Sequence, residues 1–131
     1  MSANLSRQWL ERAAEDCVVA RLVLREGHTA HTCFLAQQCA EKSLKAYLLA
    51  RSNAYPRTHK LVDLAGECAQ LDGGFSPFLP ECAVVDQYYI PTRYPDAIPG
   101  SLPSSLPSSA EAADAVTIAE RILRFVQDQL A

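Results

Sequence analysis

No stretch of this chain alternates apolar and polar residues, whereas several long stretches repeat apolar residues every three to four positions. That period winds into a stripe along an α-helix, so the sequence predicts helices and no sheet. A first helix is expected from about Asn4 to Arg25, with Trp9, Ala13, Ala20 and Leu24 on one stripe and Cys17 beside it. Asn4 or Ser6 would cap its start, and Gly27 would end it. A second helix is expected from about Thr29 to Ser52, with Cys33, Ala36, Ala40, Leu44 and Tyr47 inward and Pro56 breaking the pattern beyond it. Thr58 is placed as the N-cap of a short third helix, Lys60 to about Gln70, with Leu61 and Leu64 inward. Gly73-Gly74 reads as a turn. Ser76-Pro77 reads as cap and first position of a fourth helix, to about Tyr89, burying Phe78, Leu79 and Val85. The last helix is expected from about Ser109 to Leu130. Ser108 and Glu111 stand at capping-box spacing, and Ala112, Ala115, Ile118, Ala119, Ile122 and Phe125 form an apolar face. Shortish links between such helices imply an all-α fold, an antiparallel bundle.

Between the fourth and last helices, Pro91, Pro95, Pro99, Pro103 and Pro107 accompany a tandem Ser-Leu-Pro-Ser repeat. A mobile Pro/Ser-rich loop is expected at about 97–109. A length of 131 residues with 49% apolar content suits one domain spanning 1–131. A net charge of −3 argues against a general electrostatic grip on nucleic acid and leaves room for a local basic site. The five cysteines are odd in number, have no CxxC spacing and join no histidine cluster of the zinc type. They read as buried free thiols of a reducing compartment. The amino-terminal stretch is charged and amphipathic, and no apolar run approaches the ~20 residues that cross a bilayer. A cytoplasmic protein without membrane contact is expected.

Some residues break the packing pattern. Asp16 falls inside the first stripe, where a carboxylate needs a partner unless it lies at the solvated edge. Gln38, Glu41, Lys42 and Lys45 form a second stripe on the second helix, and Phe34 and Leu49 lie on the same side. This face is expected to be half covered, by another helix or by a second subunit. Lys42 and Lys45 could hold a phosphate, or Glu41 and Lys45 could form an ordinary pair at i, i+4. His59, between Arg57 and Lys60, follows Pro56 at a helix start, where backbone N–H groups accept anions. It could instead bond a buried carboxylate such as Asp16. Arg93-Tyr94-Pro95-Asp96 follows Tyr88 and Tyr89 and offers a cation with aromatic faces for a phosphate and a base. Alternatively, Arg93 pairs with Glu41 or Asp96 and the tyrosines pack on the bundle. No Gly-rich phosphate loop, Ser/His/Asp order or carboxylate cluster for magnesium is visible, so no cofactor, metal or phosphoryl transfer is expected.

Three segments taken together resemble the HEPN family (higher eukaryotes and prokaryotes nucleotide-binding domain). They are Trp9-x3-Ala13-x2-Asp16; the run Gln37-Gln38-x-Ala40-Glu41-Lys42-x2-Lys45-Ala46 after Cys33-Phe34; and Arg57-Thr58-His59-x-Leu61-x2-Leu64 with the later Arg93-Tyr94-Pro95-Asp96. The resemblance implies an antiparallel up-and-down bundle of four to five helices, a homodimer, and often a minimal nucleotidyltransferase partner; Phe34 or the second helix is expected at or near the subunit contact. One branch of that superfamily comprises metal-independent endoribonucleases marked by an Arg followed by a His, with four to six residues between them, in the second half of the domain. Here Arg21 with His28 and Arg25 with His31 meet the spacing only around the first turn, and no histidine follows Arg93. The resemblance therefore implies a binding module for a nucleotide, an RNA end or a nucleotidyltransferase, in a two-component or toxin–antitoxin-like system. His59, Arg93, Tyr94, Asp96, Lys42, Lys45 and Gln38 are the expected ligand-binding residues, and none is expected to be catalytic. The alternatives are a toxin-type endoribonuclease using His59 with Arg93 or Arg57, and a scaffold or dimerisation subunit without ligand.

Overall fold

The structure, a computed structural model, describes residues 2–89 and 106–131, with the side chain of Ser2 excepted. Among these residues lie five α-helices and no strand: α1 (Ser2–Arg25), α2 (Thr29–Ser52), α3 (Leu61–Leu71), α4 (Leu79–Asp86) and α5 (Ser109–Leu130). A 3-10 segment, Gly73–Phe78, joins α3 to α4. The bundle is all-α, as the period implies. The second helix is its axis, packing along α1 on one side and α5 on another, with α3 and α4 against it. The Pro/Ser-rich stretch falls outside the described residues up to position 105.

Small residues make the close seams. Ala13, Cys17 and Ala20 of α1, Cys33, Ala36 and Ala40 of α2, and Ala112, Ala115 and Ala119 of α5 are all buried in one cluster. Their short side chains bring the backbones together and leave little void. Farther along, larger groups fill the space: Tyr47, Phe75, Phe78 and Phe125 form a ring cluster, with Tyr47–Phe75 centroids 4.6 Å apart and Phe75–Phe125 4.8 Å apart. A Cβ on Gly74 would stand 2.8 Å from Phe125 Cζ, so only glycine permits this approach of the 3-10 backbone to α5.

The helix ends follow the sequence at some places and depart at others. Gly27 adopts φ 86 and lets His28 N donate to Val23 O at 2.9 Å, ending α1. The capping box at α5 forms: Glu111 N donates to Ser108 Oγ at 3.0 Å, and Ser108 N to Glu111 Oε1 at 2.8 Å. Ser6 is no cap, however. It lies inside α1, 2% exposed, and its hydroxyl donates to Ala46 O across the α1–α2 seam at 2.8 Å. Asn53, left-handed at φ 54, stops α2 three residues before Pro56. Ser76 does not start the fourth helix either. Asp72 Oδ1 accepts from Gly74 N at 2.8 Å and opens the 3-10 segment, which carries Pro77 inside it and runs straight into α4. Pro77 is the fifth of the six residues of this segment and has no N–H to give to it. The fourth helix then ends at Asp86, short of Tyr89.

All five cysteines are buried and free. Cys17 Sγ and Cys39 Sγ lie 2.6 Å apart in the α1–α2 seam. Burial pushes the thiols of Cys33 and Cys82 up to about 12, and that of Cys68 upward as well. The neighbouring Cys17 and burial together raise that of Cys39. Only the thiolate reacts rapidly with alkylating reagents. Since all five are buried, mildly alkaline iodoacetamide should leave the thiols of the folded protein unmodified and alkylate all five in denaturant, read by intact-mass spectrometry. Rapid modification of the folded chain would show that one of them reaches solvent.

Candidate functional site

Positions 37, 41 and 45 are four residues apart and so share one face of α2. On that face Glu41, 6% exposed, is a hub. Lys45 Nζ donates to Glu41 Oε2 at 2.9 Å, Gln37 Nε2 donates to Oε1 at 3.0 Å, and His59 Nδ1 lies 2.8 Å from Oε2. A carboxylate accepts, so Nδ1–H donates and the other ring nitrogen of His59 is left to act outward. The amide of Gln37 also donates to His59 O at 3.1 Å and accepts from Gln38 Nε2 at 2.7 Å, so Gln37 holds the backbone of His59 while Glu41 holds its ring. His59 stacks on Tyr89 at 5.8 Å with the planes 13° apart, yet its side chain stays 56% exposed. The cover expected over this face is therefore supplied, at Glu41, by the segment that returns after Asn53 in the same chain.

The start of α3 is not open to an external anion. Leu61 N and Val62 N donate to the two carboxylate oxygens of Asp86, at 2.7 and 3.0 Å. Thr58 Oγ1 accepts from Lys60 N at 3.1 Å and donates to Asp63 Oδ2 at 3.2 Å. Burial raises the carboxyl of Asp86 above its usual range, against the partial opposition of the two backbone hydrogen bonds. The anion expected beside His59 is thus a side chain of the protein itself.

A cleft of about 600 Å³ opens beside the hub. Gln38, Lys42 and Lys45 line it from α2, Trp9 from α1, and Arg57 and His59 from the returning segment. Lys42 Nζ bonds Asp16 Oδ2 at 2.5 Å, which gives the carboxylate inside the α1 stripe its partner. Lys42 and Lys45 thus each carry a carboxylate partner, and Arg57 makes no ion pair among the described residues. Four of the expected ligand residues, Gln38, Lys42, Lys45 and His59, meet at this one cleft. Arg93, Tyr94 and Asp96 lie outside the described residues. His59 bonds Glu41, not Asp16.

Two wall residues escaped the sequence reading. Trp9, assigned to the core stripe, is only half-buried and meets Tyr55 edge to face, with centroids 5.8 Å apart and planes at 79°. Tyr55 is 57% exposed. The available signal was size: an indole does not match the alanines and cysteine that follow it on the same stripe. Of the formal Arg/His pairs near the first turn, Arg21 is already held by both oxygens of Glu120, at 3.0 and 2.7 Å, which raises its guanidinium further. No group of three or more metal-ligating side chains occurs among the described residues, and none of their helices is long and apolar enough to cross a membrane.

Among solved structures, the fold is similar to the crystal structure of TT1696 from Thermus thermophilus, with TM-score 0.83 and 36% identity over 94% of this chain and 96% of that one. It is similar to that of ST0689, an archaeal HEPN homologue, with TM-score 0.76 and 29% identity over 96% of this chain and 98% of that one. A search of curated proteins found no match. The HEPN domain family model matches residues 6–129, and with that span of agreement the chain belongs to the HEPN domain family.

Proposed function

We propose that this chain is a cytoplasmic HEPN-type binding module that takes a phosphate-bearing ligand, a nucleotide or an RNA end, in the cleft beside Glu41. It would act as a homodimer, with Phe34 or α2 near the contact, and with a nucleotidyltransferase partner in a two-component or toxin–antitoxin-like system. The observation that supports this most is the cleft's chemistry: Gln38, Lys42, Lys45 and His59 converge there, and Arg57 adds a guanidinium without a partner among the described residues. Such a guanidinium can grip a phosphate with two parallel hydrogen bonds. Arg93, Tyr94 and Asp96 complete the proposed ligand set.

Calorimetric titration with adenosine phosphates and with a short 5′-phosphorylated RNA tests the reading. Binding is expected, and Arg57→Ala should weaken it about ten-fold, the loss of one charge-assisted contact. Absence of binding at millimolar ligand would remove the proposal.

One observation favours the endoribonuclease as a second reading. Glu41 holds His59 by Nδ1 and leaves Nε2 exposed, an arrangement that also orients histidine as a proton carrier. Structured RNA incubated in EDTA, beside His59→Ala, decides between them. The binding module leaves the RNA intact in both arms. Cleavage that disappears with the histidine would replace it with the nuclease.

A further inference from the structure

Beside the cleft lies a second hollow of about 450 Å³. Leu5, Gln8, Trp9 and Arg12 of α1 face Lys42 and Tyr55 across it. Three residues, Trp9, Lys42 and Tyr55, line both hollows, so the two adjoin. Each has the size of a small-molecule subsite.

We propose that this hollow is the base subsite of a nucleoside phosphate, with Trp9 and Tyr55 taking the heterocycle while the phosphate lies in the adjoining cleft. The inference rests on the reading of that cleft as a phosphate site. Four features carry it. The edge-to-face contact sets the indole and the phenol nearly at right angles, so the two rings make a corner with one floor and one wall. A flat heterocycle can stack on one ring while its edge meets the other. Tyr55 is 57% exposed and Leu5 41% exposed, so apolar area stands ready to be covered by a planar ligand. Charge is distributed as such a ligand requires. Lys42, held by Asp16, stands at the junction, and Arg57 lies in the cleft. Arg12 stands at the hollow and makes no ion pair among the described residues. An apolar peptide or a second copy of the chain would have little use for cations ringed around a two-ring corner. Finally, Gln8 supplies an amide beside the rings, a group able to give and take one hydrogen bond along a base edge.

The chain holds a single tryptophan, so its fluorescence reports on the surroundings of Trp9. The experiment titrates the full chain with AMP and with ribose 5-phosphate, following Trp9 emission in parallel with calorimetry, for the wild type and Tyr55→Ala. Tyr55 is exposed, and its removal leaves the core intact. The expected result is that AMP quenches Trp9 over the concentration range in which heat is released, whereas ribose 5-phosphate binds more weakly and changes the emission much less. Tyr55→Ala should weaken AMP roughly ten-fold, the effect of losing one stacking surface, and weaken ribose 5-phosphate by much less. Equal binding of the two compounds, AMP binding without quenching, or a neutral Tyr55→Ala would overturn the base subsite while the phosphate cleft stands. Failure of both compounds to bind would overturn the two readings together.

Discussion

Glu41→Ala is expected to lower the unfolding free energy by about 3–5 kcal/mol, the usual loss when one partner of a buried ion pair is removed. The carboxylate is 8% exposed at its side chain and Lys45 7%, so water cannot take over the role of either. Without Glu41 the ammonium of Lys45 stays buried and uncompensated, the amide of Gln37 loses an acceptor, and His59 loses the group that orients it. The comparison that isolates the cause is the double variant Glu41→Leu with Lys45→Met, which removes both charges and keeps the volume. It should recover most of the loss, because a buried pair exchanged for apolar groups of similar size is close to neutral. Urea unfolding of the two variants and the wild type measures both quantities. A loss below about 1 kcal/mol in Glu41→Ala, the size of an exposed pair, would show that the hub is solvated.

A similar loss, about 3–5 kcal/mol, is expected from Phe75→Ala. The ring is 0% exposed and lies between Tyr47 and Phe125, the place where the 3-10 segment docks on the long helices. Its removal opens a cavity that the neighbours can fill only in part, since Phe125 is already held against the Gly74 backbone. Phe75→Leu should lose less, as most of the volume remains. Thermal and urea unfolding check this, and equal stability of Phe75→Ala and the wild type would mean that the ring cluster contributes nothing to the fold.

The long helices were legible because their apolar stripes repeat over many turns and because Gly27 and Ser108 punctuate them by local rules. Local rules failed where the partner comes from far along the chain. Thr58 reads as the cap of α3, yet the donors there are satisfied by Asp86, about two dozen residues later. Ser6 reads as a cap because serine caps helices, whereas its hydroxyl has a tertiary acceptor on α2. Ser76-Pro77 resembles a helix start, and the two glycines ahead of it already wind the chain into the 3-10 segment. The same distinction governs the site. Gln38, Lys42 and Lys45 could be grouped from the helical period alone, and His59 stood out by its residue type and position. The pairing of His59 with Glu41, and the corner of Trp9 and Tyr55, depend on the chain doubling back after Asn53, and no periodicity records that reversal.

The carboxylate of Asp86 has a consequence for the order in which the molecule can loosen. The first-turn donors at Leu61 and Val62 are satisfied only when the end of α4 is docked, so α3 and α4 are completed, or undone, as one cooperative unit. His59 sits directly ahead of that unit, and its grip on Glu41 depends on where the unit starts. Sub-global opening of these two short helices would therefore release the histidine while the seam of α1, α2 and α5 stayed closed, which couples the composition of the cleft to the least anchored part of the bundle and not to its axis.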